Sequence, residues 1–184
     1  LNSIIPPVFM NSLHVLDSIE SYTGAAPASR YFYGRVCNPT VEIVEQKIAA
    51  LEHGKDAVVF SSGMSAATAA ICTVCNPGDH VICVRGAYVE HFLRTFGEKK
   101  LSISTTFVSG RDLGEFEDAV KPNTTLIVLE SPVSLVFHLQ DIAGVAKIAK
   151  KHGIKTYIDN SYCTPLFQNP LDHGIDMVMH TPSK

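Results

Sequence analysis

Short runs of apolar, β-rich residues recur along the chain and predict the strands of a sheet, and helix-like segments fall between most of them. Runs that are apolar throughout are typical of strands buried on both faces. Their alternation with helices indicates an α/β fold, with a mainly parallel sheet covered by helices on both faces. The predicted strands are 56–60, 80–84, 103–108, 125–129, 155–159 and 175–179, and the predicted helices lie near 63–75, 88–96, 113–120 and 141–152.

The first part of the chain has a different pattern. Residues 1–40 lack a sustained helix or strand signal because prolines and glycines interrupt them, so we expect an extended arm. A helix is predicted to begin at Pro39 behind an Asn38 cap and to end at Gly54. We therefore divide the chain into an arm, 1–40, and a large domain, 41–184.

Composition narrows the class of protein. Of the 184 residues, 46% are hydrophobic and 18% are charged, which is ordinary for a globular domain and argues against intrinsic disorder. The net charge of −3 weighs against nucleic acid or an anionic membrane as the main partner. The apolar runs are too short to span a bilayer, so we expect no integral membrane protein.

Cysteines and histidines give no metal or disulfide signal. The five cysteines are an odd number, and without a signal-peptide pattern they favour a reducing cytoplasm. Cys72 and Cys75 form a single CxxC that closes a predicted helix, so we interpret them as structural, and likewise Cys163. The eight histidines are scattered, so no metal site is assigned.

Chemistry-bearing residues follow the predicted strands, where ligands gather in open α/β sheets. The turn at 61–64 opens a helix and suits a phosphate, although a plain strand-to-helix turn is the alternative. Asp159 ends an apolar strand and requires a cationic partner or a cap. Lys184 follows the last strand after the hydroxyl residues Thr181 and Ser183; it is either a surface lysine or a Schiff-base nucleophile. Together these groups match the requirements of pyridoxal phosphate.

The chain resembles the Cys/Met-metabolism (transsulfuration) family of pyridoxal-phosphate enzymes, which includes cystathionine γ-synthase, cystathionine γ- and β-lyases and methionine γ-lyase. The resemblance runs from about Pro6 to Lys184. The motifs that carry it are Tyr33-Gly34-Arg35, Asn38-Pro39-Thr40, Ser61-Ser62-Gly63-Met64, Pro77-Gly78-Asp79-His80-Val81, Tyr88, Lys121-Pro122-Asn123-Thr124, Leu129-Glu130-Ser131-Pro132, Asp159-Asn160-Ser161-Tyr162-Cys163-Thr164-Pro165 and His180-Thr181-Pro182-Ser183-Lys184.

The resemblance implies roles for these residues. Lys184 would hold the cofactor as a Schiff base and then move protons, and Asp159 would pair with the pyridine nitrogen. Tyr88 would stack on the ring and take part in acid–base steps, with Ser161 supporting the ring. The implied phosphate ligands are Gly63, Met64, Thr181 and Ser183, joined across a dimer interface by Tyr33 and Arg35.

The implied fold is the large domain of the fold type I, aspartate-aminotransferase-like enzymes, and we expect a small C-terminal domain beyond Lys184. The implied function is a C–S lyase or γ-synthase that acts on sulfur amino acids by α,γ- or α,β-elimination or γ-replacement. The implied assembly is a homodimer that completes the active site, within a homotetramer.

Two departures from the family pattern leave alternatives open. Ser134 stands where the family usually has Asn, and Val89-Glu90-His91 replaces a Gly-Gly-Thr or Gly-Cys-Thr. Glu90 and His91 face either the site or solvent. The alternatives are an O-acyl-homoserine sulfhydrylase on the same scaffold and a non-catalytic relative with a binding or assembly role.

Overall fold

The protein divides into two compact units, residues 1–59 and 60–184. The structure, a computed structural model, describes residues 4–24 and 31–183. Residues 1–3, residues 25–30 and the predicted Schiff-base residue Lys184 therefore lie outside the described residues. No helix within the described ranges is both long and apolar enough to cross a membrane.

Within its described residues, the first unit contains two helices, α1 (Ile19–Thr23) and α2 (Pro39–Leu51). The arm was predicted to have no helix, and α1 corrects this prediction. It forms because Ser18 caps its first turn by accepting a hydrogen bond from the Ser21 N–H, and Gly24 ends it in the left-handed conformation. Such a short helix depends on its caps rather than on an apolar stripe, which is why the pattern missed it.

The start of α2 is as predicted, with the Asn38 side chain accepting a hydrogen bond from the Thr40 N–H at 2.9 Å. Its end differs by a few residues. The helix stops at Leu51, and His53, not Gly54, takes the left-handed conformation, with φ 57°. The Gly54 N–H then donates to the Ala49 carbonyl at 2.7 Å, so Gly54 closes the helix end without being its left-handed residue.

The strand predicted at 56–60 is wrong. Its apolar side chains are exposed, Val58 by 68%, and the Val59 N–H donates to the Glu45 carboxylate at 3.0 Å instead of to a neighbouring strand. A strand exists only through its pairing, and no strand in the described parts of the chain pairs with this run. The residue types at 56–60 favour a strand, but they do not determine whether a neighbouring strand is there to pair with.

The second unit is built on a parallel sheet, which confirms the predicted sheet type. Its five strands are β1 (His80–Val84), β2 (Ser104–Val108), β3 (Thr124–Glu130), β4 (Lys155–Asp159) and β5 (Met177–Met179), and their order in the sheet is β2-β1-β3-β4-β5. The chain moves from β1 to β2 on one side and then to β3 on the other, so the strand order reverses between β1 and β3. Such a reversal is where ligands bind in open α/β sheets.

Helices pack on both faces of this sheet, which confirms the predicted layers. The helices are α3 (Gly63–Val74), α4 (Glu90–Phe92), α5 (Glu98–Leu101), α6 (Leu113–Ala119), α7 (Ile142–His152) and α8 (Thr164–Phe167), with a 3₁₀ turn at Pro170–His173. Alternate strand residues enter two separate apolar clusters: Ile82 lies on the side of α6 and α7, and Val81 lies on the side of α3.

The helix predicted at 88–96 begins later and extends further. It runs from Glu90 through a π-helical turn, Leu93–Gly97, into α5. The Phe92 and Phe96 rings stack across this turn with centroids 5.5 Å apart. A spacing argument built on 3.6 residues per turn does not anticipate a wider turn.

A buried histidine makes stability depend on pH. His80 is fully buried between two threonines, with Nδ1 2.8 Å from the Thr124 hydroxyl and Nε2 2.8 Å from the Thr106 hydroxyl. Burial, with a smaller contribution from the Lys121 charge, lowers the pKa of His80 from 6.5 to about 4. The unfolded chain therefore binds more protons than the folded one between those values, so stability falls as pH decreases through that window.

We expect the full-length protein to lose up to about 3 kcal/mol between pH 6.5 and pH 4 through His80 alone. The measurement is thermal unfolding at pH 7 and pH 5. His80→Gln should lower stability at both pH values but reduce the difference between them. His173→Gln, at an exposed position, should keep the wild-type difference. An unchanged difference in His80→Gln would contradict the assignment.

Candidate active site

Two carboxylates lie side by side at the carboxyl edge of the sheet. Glu130 ends β3 and Asp159 ends β4, and the parallel register pairs them directly. Met179, the last residue of β5, pairs with Asp159 on its other side. The expected convergence of the strand ends is therefore observed for β3, β4 and β5. Two acids at the end of an apolar sheet need hydrogen-bond donors or a cation to balance them.

The start of α3 lies against the segment that follows β5. Ser62 and Ser65 form a reciprocal capping box, which leaves Gly63 as the first residue of the helix. A Cβ added at Gly63 would lie 3.1 Å from Thr181 Cβ and 3.4 Å from its Oγ1. The Thr181 hydroxyl is 3.0 Å from the Ser183 hydroxyl. The structure thus brings together three of the predicted phosphate ligands, and it brings them so close because residue 63 has no side chain.

Ser161 connects this cradle to Asp159. Its N–H donates to Asp159 Oδ1 at 2.9 Å, and its Oγ accepts a hydrogen bond from the Thr181 N–H at 2.8 Å. The neighbouring Asn160 is fully buried, and its side chain exchanges two hydrogen bonds with Gln168, both at 2.8 Å. The loop after β4 is therefore held from both sides, and the Asp159 carboxylate is fixed relative to the cradle.

Tyr88 lies beyond the end of β1 with its side chain available, since the residue is 58% exposed. Its main-chain N–H donates to Glu130 Oε2. Glu130 Oε1 accepts from the Ser134 N–H at 2.9 Å and from the Ser134 hydroxyl. The predicted ring-stacking residue is thus tied by its backbone to the end of β3.

Glu130 is the residue of this site to which the sequence argument gave no role, although it stood in a quoted motif. Only 6% of it is exposed. Burial raises the pKa of its carboxyl, the Ser134 hydroxyl and the Tyr88 N–H act in the opposite direction, and the Asp159 charge raises the pKa further. The signal that could have found it is the one used for Asp159, a carboxylate at the end of an apolar strand.

The remaining predicted site residues lie in α3, in the first unit or outside the described residues. Met64 follows Gly63 in the first turn of α3. Tyr33 and Arg35 belong to the first unit, where the Arg35 guanidinium lies 4.9 Å from the Tyr33 ring centroid. Lys184 lies outside the described residues, so its role stays a prediction. Cys72, Cys75 and Cys163 are free thiols. Among the described residues, no group of three His, Cys, Asp or Glu side chains could hold a metal.

The observed residues fit pyridoxal phosphate. A helix N-terminus next to two hydroxyls suits a phosphate, a half-buried carboxylate suits a protonated pyridine nitrogen, and an exposed aromatic side chain suits the face of the ring. The close approach of Thr181 to Gly63 is the observation that favours a phosphate here, since a Cβ at residue 63 would lie 3.1 Å from Thr181 Cβ and push the Thr181 hydroxyl away from the helix N-terminus.

Comparisons with known proteins agree with this fit. The family model described as "Cys/Met metabolism PLP-dependent enzyme" matches residues 1–184. The chain is 37% identical over 191 residues to L-methionine gamma-lyase of Pseudomonas putida, covering 99% of this chain and 46% of that protein.

The fold is also similar to those of solved enzymes of sulfur amino-acid metabolism. The cystathionine gamma-lyase of Lactobacillus plantarum, solved with L-serine, is 36% identical, with a TM-score of 0.86 over 95% of this chain and 44% of that one. A putative O-acetylhomoserine (thiol)-lyase of Campylobacter jejuni, carrying N'-pyridoxyl-lysine-5'-monophosphate, is 28% identical, with a TM-score of 0.90 over 99% of this chain and 46% of that one. The chain spans about half the length of the relatives it matches.

Gly63→Ala in the full-length protein should weaken cofactor binding about tenfold, because the new methyl group must displace Thr181 from the cradle. The measurement is titration of the apoprotein with pyridoxal phosphate. Gly114→Ala is the matched control, since it also adds a methyl group in the first turn of a helix, at 3.2 Å from Asp112 Oδ1. Equal affinities for wild type and Gly63→Ala would remove Gly63 from the phosphate site.

Proposed function

We propose, since the chain belongs to the Cys/Met metabolism family of PLP-dependent enzymes, that the full-length protein is a C–S lyase or γ-synthase acting on sulfur amino acids of the cystathionine, homocysteine and methionine type. The observation that carries the proposal is the continuous link from Asp159 through Ser161 to Thr181 and Gly63. It joins a carboxylate to a phosphate cradle on one edge of the sheet.

The cofactor, when bound, supplies an electron sink for breaking bonds at and beyond the α-carbon of an amino acid. The chain's own residues hold it in place. The Gly63 N–H and the hydroxyls of Thr181 and Ser183 bind the phosphate, and the Asp159 carboxylate keeps a proton on the ring nitrogen. Tyr88 would cover one face of the ring, and the Lys184 amine would hold the cofactor through its aldehyde carbon, with loss of water, and would then move the substrate protons.

An O-acyl-homoserine sulfhydrylase is the second candidate. It is supported by the likeness to the putative O-acetylhomoserine (thiol)-lyase, whose fold matches at a TM-score of 0.90. Ser134, at the usual position of an Asn, also leaves the reaction type open. Steady-state assays of the full-length protein with cystathionine, methionine and O-acyl-homoserines plus sulfide separate the two.

The same preparation tests whether the protein is an enzyme at all. We expect an absorbance band for the lysine-bound cofactor, and borohydride should fix the cofactor on Lys184, as mass spectrometry of the digested protein would show. Protein supplied with pyridoxal phosphate that shows no band and no adduct would favour the non-catalytic relative instead.

Asp159→Asn should lower the turnover rate about a hundredfold or more, because a neutral amide no longer stabilises the protonated ring. Asp176→Asn is the control. Asp176 is also a hydrogen-bonded carboxylate, but it pairs with Lys155 and Thr156 at the opposite end of β4, and its substitution should leave the rate within about twofold. A fully active Asp159→Asn enzyme would refute the pyridine-nitrogen role.

The arm and the assembly belong to the same proposal. We place Tyr33 and Arg35 at the phosphate of a neighbouring subunit in a homodimer, within a homotetramer in the cytoplasm. Exposed apolar residues on the loops after β3 and β4 and on α8 support association, namely Leu135, Val136, Phe137, Tyr162, Leu166 and Phe167. Five free cysteines support a reducing compartment.

Subunit mixing tests the arm. Arg35→Ala and Asp159→Asn should each be nearly inactive alone. If Arg35 acts on the neighbouring subunit, hybrid dimers carry one intact site, and random mixing should restore roughly a quarter of wild-type activity. Mixing Asp159→Asn with Ser161→Ala, both in the same second unit, is the control and should restore none. No recovery in the first mixture would show that Arg35 acts within its own subunit or not at all.

A further inference from the structure

Glu130 joins two loops that come from different strands. Its carboxylate accepts the main-chain N–H of Tyr88 from the loop after β1, and it accepts both the N–H and the hydroxyl of Ser134 from the loop after β3. All three partners are donors, and the side chain is almost completely buried. One residue therefore fixes the backbone at both Tyr88 and Ser134.

The two loops are also in direct contact beside this carboxylate. Gly86 has a φ of +83°, and a Cβ built there would lie 2.9 Å from Val133 Cγ1. Glu90 holds the same turn from its other end, accepting the Gly86 N–H at 2.6 Å and pairing with Arg94 at 2.7 Å. Glu90 thus faces the turn through its hydrogen bonds, and the loop after β1 is held by Glu90 at Gly86 and by Glu130 at Tyr88.

We propose that Glu130 is a positioning residue that locks the Tyr88 backbone to the Ser134 loop and thereby sets the plane on which the cofactor ring stacks. The cofactor half of this inference rests on the proposed function. Glu130 need not touch the ring, since it acts through Tyr88 and Ser134.

The chemistry requires a carboxylate at this position. An ionised carboxylate has acceptors on both oxygens, whereas the amide of Gln has an acceptor on one side and a donor on the other. Glu130→Gln keeps the volume of the side chain but sets an NH₂ group against either the Tyr88 N–H or the Ser134 N–H. A buried donor facing a donor is destabilising, so one of the two loops must move.

The lock also defines what Ser134 offers a ligand. The Ser134 hydroxyl has one proton, which it donates to Glu130, so it presents only lone pairs to a bound group. Burial and the Asp159 charge raise the pKa of Glu130, and the hydrogen bonds from Ser134 and Tyr88 oppose that rise.

The test uses the full-length protein with Glu130→Gln. The first measurement is hydrogen exchange of the apoprotein, in which the amides of Tyr88 and Ser134 should exchange about tenfold faster than in wild type. The second is the dissociation constant and induced circular dichroism of bound pyridoxal phosphate; the constant should rise about tenfold and the dichroism of the ring should change.

Glu115→Gln is the matched control. Glu115, on α6, uses both carboxylate oxygens to accept hydrogen bonds from the N–H and the hydroxyl of Ser109, which lies in the loop after β2. These hydrogen bonds do not involve Tyr88 or Ser134. It should leave exchange at Tyr88, cofactor affinity and dichroism unchanged. A general loss of stability would affect both variants, whereas a positioning role affects only Glu130→Gln.

Each measurement tests a separate part of the proposal. Unchanged exchange at Tyr88 and Ser134, or equal effects of the two variants, overturns the lock. Faster exchange with unchanged affinity and dichroism overturns the positioning role. A wild-type protein that binds no pyridoxal phosphate overturns the proposed function and the cofactor half of this inference, while the exchange comparison still decides whether Glu130 holds the loops.

Discussion

The direct pairing of Glu130 with Asp159 is the constraint on which the site depends. Parallel register places these acids next to each other at the end of an apolar sheet, where the Asp159 charge disfavours the charge of Glu130. The two carboxylates differ in the hydrogen-bond donors that surround them. Glu130 takes three protein donors, whereas the structure gives the Asp159 carboxylate the Ser161 N–H and leaves the residue half-buried. The acid with fewer protein donors is the one suited to a positively charged ligand.

The loops around the two carboxylates are positioned by contacts that leave functional groups exposed. Tyr88 is placed through its main chain, so its ring stays free to meet a ligand. The cradle on the other side depends on small and hydroxyl side chains, since Gly63 and Thr181 lie in contact. Rigid loops with exposed functional groups are what a cofactor enzyme needs, because binding energy is then not spent on ordering the site.

Much of this arrangement could be predicted from local pattern. Strands such as His80–Val84 and Lys155–Asp159 are apolar runs with polar ends, and α7 shows its cap and its basic last turn in the sequence. The failures share a physical cause. The run at 56–60 has strand propensity but no partner in the described chain, and pairing is a long-range property. The importance of Glu130 depends on which backbone amides reach it, and no spacing rule reveals that.

The contact between Gly63 and Thr181 also bears on how the protein is made. Gly63 opens α3 and Thr181 follows β5, so the two residues can meet only after all five strands of the described sheet have been synthesised. Contacts of this kind form late, because a long stretch of chain must be ordered before they contribute. Cofactor capture should therefore follow assembly of this sheet, whose apolar faces must be covered before pyridoxal phosphate binds.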